Sequence, residues 1–125
     1  MKISRELQSN TTIRQVSPAG IKIGEVVYDE TLVLTAEAVH AGWTDKSVDA
    51  LAAEDFSELM DDEPDLVLLG TGKHNRFPPR ELVFSFARRG IGLEVMDTAA
   101  AARTFNVLAG EGRRVVAVLY PHADT

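Results

Sequence analysis

The chain has no cysteine. This excludes disulfides, thiolate metal sites and a cysteine nucleophile together, and it fits a reducing compartment. Long apolar runs are missing as well: the longest, Val115 to Tyr120, is strand-sized and well short of the ~20 residues that span a bilayer. The opening segment, MKISRELQSN, lacks both the apolar stretch of a secretory signal and the arginine-rich amphipathic pattern of a transit peptide. Positive charge is in deficit. A formal net charge of -6 opposes a phosphate backbone, and the basic residues are scattered apart from the pairs Arg88-Arg89 and Arg113-Arg114. The expectation from these absences is a soluble, acidic, cytoplasmic protein that is not integral to a membrane and has no nucleic-acid partner.

What is present is one ordinary core. A chain of 125 residues with 45% hydrophobic content has hardly room for a second, so we expect a single domain over 1–125 with its core at about 12–121. At this size it buries roughly two-thirds of its unfolded surface, enough to fold without a metal or covalent staple.

The front of the chain reads as β. Thr12 to Val16 and Ala19 to Leu34 are rich in β-branched residues punctuated by Pro18, Gly20 and Gly24. Ile21-Lys22-Ile23 alternates, and Gly24-Glu25 supplies the positive-φ first position of a type II′ turn before Val26-Val27-Tyr28, predicting a hairpin. Thr35 to Thr44 loses periodicity and is expected to be an irregular crossover over one edge, anchored by Trp43. Ser47 is placed to cap a helix whose stripe is Leu51, Phe56, Leu59 and Met60 and which ends before Pro64.

The rest alternates strand and helix. Leu66 to Leu69 is a continuous apolar run, Pro79 to Arg89 has a stripe of Leu82, Val83 and Phe86 and stops at Gly90, and Ile91 to Met96 is a second strand. Asp97 or Thr98 caps a helix through Ala109 that Gly110 ends, and Val115 to Tyr120 is a third strand. Strand–helix–strand crossovers give a parallel-containing sheet, and the three strands are expected at its centre, 66–69 and 115–120 covered on both faces. The buried set should include Leu68, Val83, Phe86, Leu93, Val95, Phe105, Leu108, Val116 and Val118.

Chemistry-bearing motifs are sparse. Gly70-Thr71-Gly72-Lys73 follows a strand, where backbone N–H groups can meet an anion and a lysine adds charge. It does not open directly into a helix as a dinucleotide fingerprint must, and His74 stands where a Walker loop needs Ser or Thr. Glycines permitting a sharp exit from the sheet are the simpler account. His40, His74 and His122 have no i, i+4 partner, there is no G-x-S-x-G elbow, and Asp61-Asp62-Glu63 and Glu54-Asp55 read as solvated surface. In the helix after Asp97, small alanines allow close approach to the sheet and Phe105 fills the core, leaving Arg103 and Asn106 without a structural explanation.

Gly70-Thr71-Gly72 after an apolar strand, Gly90-Ile91, Met96-Asp97-Thr98, Arg103-Thr104-Phe105-Asn106 and Glu111-Gly112-Arg113-Arg114-Val115 together resemble a small domain family. That family includes mitochondrial respiratory complex I assembly factor three and the adipogenesis-associated single-domain protein, and it is widespread in bacteria and archaea as a domain of unknown function. The resemblance covers roughly 12–121. Phe105 stands where a tyrosine is commoner, so no role resting on that hydroxyl transfers. The resemblance implies an α/β fold: a compact three-layer single domain with a mixed central sheet, helices packed on it and an N-terminal β-hairpin layer. It implies a non-catalytic helper in assembling a membrane-associated complex, here in a bacterial or archaeal relative.

The resulting expectation is a protein-binding or assembly-factor-like module without cofactor or metal, its protein partner unidentified, with a membrane-associated partner compatible with the reading. Its surface is expected along one rim: Gly70, Thr71, Gly72, Lys73, Asp97, Thr98, Arg103 and Asn106. The alternative is a small-molecule or anion site, enzymatic or regulatory, in a cleft at the carboxyl ends of strands 66–69 and 91–96.

Overall fold

The computed structural model describes residues 11–122; the reading of the first ten residues as neither a secretory signal nor a transit peptide lies outside them. Among the described residues eight strands make two sheets. β1 (Ile13–Ser17), β2 (Gly20–Ile23) and β3 (Val26–Tyr28) form an antiparallel meander, and β4 (Leu32–Leu34), β5 (Val39–Ala41), β6 (Leu66–Gly70), β7 (Gly92–Met96) and β8 (Val115–Leu119) form a mixed sheet in the order β5-β4-β8-β6-β7. β6 is parallel to both β7 and β8, while β4 runs antiparallel to β8 and β5. Among the described residues three α-helices accompany them: α1 (Ser57–Asp61), α2 (Arg80–Arg89) and α3 (Thr98–Gly110).

The pleat divides the apolar side chains between two cores. Leu32, Leu34, Leu68, Val115, Ala117 and Leu119 face α3 and the meander, meeting Ala101, Ala102, Phe105, Ile21 and Ile23. Val33, Val67, Leu69, Val116 and Val118 face the other way, against Leu82 and Phe86 of α2 and against Val48, Leu51, Phe56 and Met60. The five-stranded sheet is therefore the middle of three layers, and β8 and β6, the continuous apolar strands, lie inside it as expected. The hairpin also forms where the sequence puts it: Ile23 pairs with Val26, and Gly24 has φ 61°.

Five expectations are corrected. Residues 91–96 supply an edge strand, β7, because the crossover through α3 carries the chain past β6 to its far side. Thr35 to Thr44 contains β5: the Thr35 hydroxyl accepts from the Glu37 and Ala38 N–H groups, and this turn folds Val39 back on Leu34. The helix expected from Ser47 is replaced by two 3₁₀ turns, Val48–Ala50 and Ala53–Phe56, followed by α1. Leu51 and Ala52 are extended between the turns, Ser47 bonds Asp49 instead of the backbone, and Asp55 accepts the Ala52 N–H at 2.8 Å. Leu51 and Phe56, which would stand about 140° apart around a continuous helix, are both buried with the chain extended between the two turns. Val83 is 41% exposed, since α2 buries the narrow stripe of Leu82 and Phe86 and Val83 lies off it. Finally, α3 includes Gly110 and is closed by Gly112 at φ 80°, with Gly112 N–H on Ala109 O and Arg113 N–H on Leu108 O, the paired bonds of a Schellman stop.

Leu68, Phe86, Phe105, Val116 and Val118 are buried as expected, while Leu93, Val95 and Leu108 are half-buried. Trp43 anchors its loop, stacking edge-on against Phe56 at 5.1 Å while Phe56 meets Phe86 at 5.3 Å.

Candidate functional site

Strands β6, β7 and β8 end together, and two threonines join their ends. Thr71 N–H donates to Met96 O (2.9 Å), Thr98 N–H donates to Gly72 O (2.9 Å), and Gly72 N–H donates to Thr98 Oγ1 (2.8 Å). The Thr98 hydroxyl in turn donates to Tyr120 O at 2.6 Å, and Tyr120 N–H donates to Gly70 O. Thr71 Oγ1 donates to His74 O (2.7 Å) and accepts from Arg76 N–H (3.0 Å), fixing the loop that leaves β6. Thr71 and Thr98 are both buried, so every one of these bonds avoids an unpaired polar group. Gly70 has no room for a side chain: a Cβ there would lie 2.9 Å from Leu119 Cδ2 and 3.0 Å from Thr98 Oγ1.

The eight candidate residues therefore fall in different environments. Gly70, Thr71, Gly72 and Thr98 are neighbours, but their polar atoms point inward at one another. Asp97 caps α3, its Oδ1 accepting from Ala100 N–H at 2.9 Å. Asn106 lies about two and a half turns further on, about 13 Å along the axis, and clamps β1: Nδ2 donates to Ile13 O and Oδ1 accepts from Ile13 N–H, both at 2.9 Å. This amide completes the sheet edge as another strand would, which explains a residue that the sequence left unexplained. Lys73 and Arg103 are exposed, and Arg103 has no ion pair among the described residues.

A cleft of about 520 Å³ opens beside this junction, on the β8 side of β6. The 71–76 loop supplies Lys73, His74 and Arg76 to its lining, the turn before β4 supplies Asp29 and Glu30, and Thr44 to Val48 and Tyr120 complete it. The β6–β7 ends, where the alternative reading expected a cleft, are instead bridged by the Thr71–Met96 and Thr98–Gly72 bonds. Sequence reasoning missed Tyr120, whose hydroxyl donates to Lys46 O at 2.8 Å. Burial, aided by the negative charges of Asp55 and Asp49, pushes its pKa up to about 12, so it is a donor and not a base. Lys46 also pairs with Asp55 at 3.0 Å; the Ala52 N–H and then Lys46 hold the Asp55 carboxyl below the usual carboxylate range. A polar hydroxyl closing an apolar strand was the available signal. Chemically, the cleft offers both signs of charge around a rigid floor, suited to holding a small polar molecule.

The model of a family described as "Protein of unknown function (DUF498/DUF598)" matches residues 13–120, from the first residue of β1 to Tyr120. The chain belongs to this family. Among curated relatives, the NADH dehydrogenase [ubiquinone] 1 alpha subcomplex assembly factor 3 of Danio rerio is 31% identical over 95% of this chain and 69% of its own. An uncharacterised protein of Rhodobacter capsulatus is 38% identical over 83% of this chain and 79% of its own. The solution structure of a Xanthomonas campestris protein superposes with a TM-score of 0.82 at 33% identity, covering 90% of this chain and 86% of that one. The matched span contains both sheets, the threonine junction and the Asn106 clamp. Among the described residues no helix is long and apolar enough to cross a membrane.

Proposed function

We propose that this member of the family is a non-catalytic, protein-binding module of the assembly-factor kind, acting in the cytoplasm. The observation that carries the reading is the likeness, across 95% of the chain, to a protein named as a complex I assembly factor. The threonine junction supports it, because the hydroxyls and amides at the strand ends are occupied in holding the fold. What that rim turns outward is Lys73 and, along α3, Arg103. Arginine's planar five-donor fork suits recognition of a partner's carboxylates or carbonyls. Arg103→Ala should leave the melting temperature within about 1 °C of the parent, as exposed substitutions do, and should abolish co-purification of the partner from the native cell. Unfolding by this substitution, or unchanged capture of the partner, would remove Arg103 from the docking surface. Substrate turnover lost on changing one polar residue would overturn the non-catalytic reading.

A second reading, a small-molecule or anion site, is favoured by Lys73, His74 and Arg76 at the mouth of the 520 Å³ cleft. A thermal shift with inorganic phosphate or a dicarboxylate that disappears in Lys73→Ala would support it over docking.

A further inference from the structure

Five phenylalanines divide sharply. Phe56, Phe86 and Phe105 are buried to 1% or less, whereas Phe77 is 78% and Phe84 53% exposed. Both exposed rings belong to one stretch, the loop entering α2 and its outer face, and Val83 adds a third open apolar side chain there. On that face Arg80 and Arg88 stand four residues either side of Phe84, so the three share one strip of the helix. Charge follows the same boundary: residues 73–89 hold five basic residues and one acidic, Glu81, a local +4 within a chain of net -6. Arg76, Arg80 and Arg89 have no ion pair among the described residues, and Arg88 donates to Ser85 Oγ.

We propose that this outer face of α2, led by Phe77, is a docking surface for an anionic lipid bilayer. Aromatic and aliphatic side chains enter the headgroup–acyl boundary while the neighbouring arginines meet lipid phosphates, which is how an amphipathic helix lies in an interface. The shape decides between lipid and an acidic protein. Phe77 and Phe84 protrude from the outer side of a helix and its entry loop, and a fluid interface receives protruding rings without a pre-formed pocket, whereas a folded partner must supply one. The acidic remainder of the chain turns the molecule so that α2 faces the bilayer. The site lies on the opposite side of the five-stranded sheet from α3 and is independent of protein docking through Arg103.

The test is co-sedimentation of the full chain with vesicles of phosphatidylcholine alone or with about 30% phosphatidylglycerol, at about 0.1 M salt. The parent should sediment with the anionic vesicles only, and less so as salt rises. Arg80→Glu with Arg88→Glu should abolish sedimentation, and Phe77→Ser with Phe84→Ser should lower it roughly tenfold. Arg14→Glu with Lys22→Glu, a charge-matched pair in the meander, should bind as the parent does, and so should Arg103→Ala. All are partly or fully exposed positions, and a thermal melt of each variant confirms that it is folded. No preference for anionic vesicles, or equal loss in the meander pair, overturns the proposal. Retention on immobilised polyglutamate without vesicle binding would assign the face to an acidic protein and overturn it too.

Discussion

On the α3 side of the five-stranded sheet, Ala101, Ala102 and Ala109 set the spacing and one large ring, Phe105, fills the layer; a second regular sheet closes over it. On the α2 side the covering is irregular: two 3₁₀ turns and a five-residue helix carry Phe56, Leu59 and Met60 beneath Trp43, and aromatic edges replace close backbone approach. The polar ties differ to match. Asn106 binds regular backbone to regular backbone, whereas Lys46, Asp55 and Tyr120 pin a segment that has few bonds of its own. Small residues demand a regular partner, because they have no rotamers with which to fill gaps. Long and aromatic residues accept an irregular one. At the surface the α3 side, with the meander over it, exposes Arg103 and the aliphatic Val26, Val27 and Val107, whereas the α2 side exposes the aromatic rings Phe77 and Phe84 beside Val83.

The comparison breaks or holds first on the buried rings. Phe105→Ala and Phe86→Ala should each cost about 3–5 kcal/mol. Phe105 should be at the upper end, since its alanine neighbours cannot refill the hole, and Phe86 at the lower, since Met60 and the irregular segment can settle into it. Equal losses in urea unfolding would show that the two cores are equally rigid.

Removal of the clamp comes next. Asn106→Ala leaves the Ile13 N–H and carbonyl without their partner and should cost about 1–3 kcal/mol. Amide exchange should quicken in β1 to β3 and not in β6 or β8. A loss spread evenly over both sheets would mean that the meander is not separately tied.

The smallest effect is one of pH, on the α2 side. A tyrosine whose folded pKa is raised contributes stability that is intact below its unfolded value of 10.0 and is lost as pH climbs towards about 12. An ultraviolet titration of the folded protein should therefore find a hydroxyl ionising near 12, absent in Tyr120→Phe. Complete tyrosine ionisation near pH 10 would mean that Tyr120 is open to water and that the 43–47 loop is not held by it.

Much of this was legible in the sequence because its causes are local. The apolar runs at 66–69 and 115–120, the turn at Gly24, the stop at Gly90 and the cap at Asp97 each follow from backbone preference or side-chain period within a few residues. The helix expected from Ser47 to before Pro64 is replaced by two 3₁₀ turns and the short α1, with Leu51 and Ala52 extended between the turns, a break that propensity alone does not encode. The family itself was legible from the G-T-G, M-D-T and R-T-F-N segments, and the family match from 13 to 120 bears that out.

Tertiary structure alone decided where β7 lies and what the candidate residues do. Thr98 meets Gly72 across 26 positions and Tyr120 across 22, and Asn106 meets Ile13 across 93. A side chain's hydrogen-bonding capacity is written in its identity, but whether that capacity is spent inside the fold or turned outward depends on which distant backbone groups the topology brings within 3 Å. For Thr71, Thr98 and Asn106 it is spent inside. For Arg103, and for the arginines beside Phe77 and Phe84, the described fold offers no ion-pair partner, and their charge faces outward.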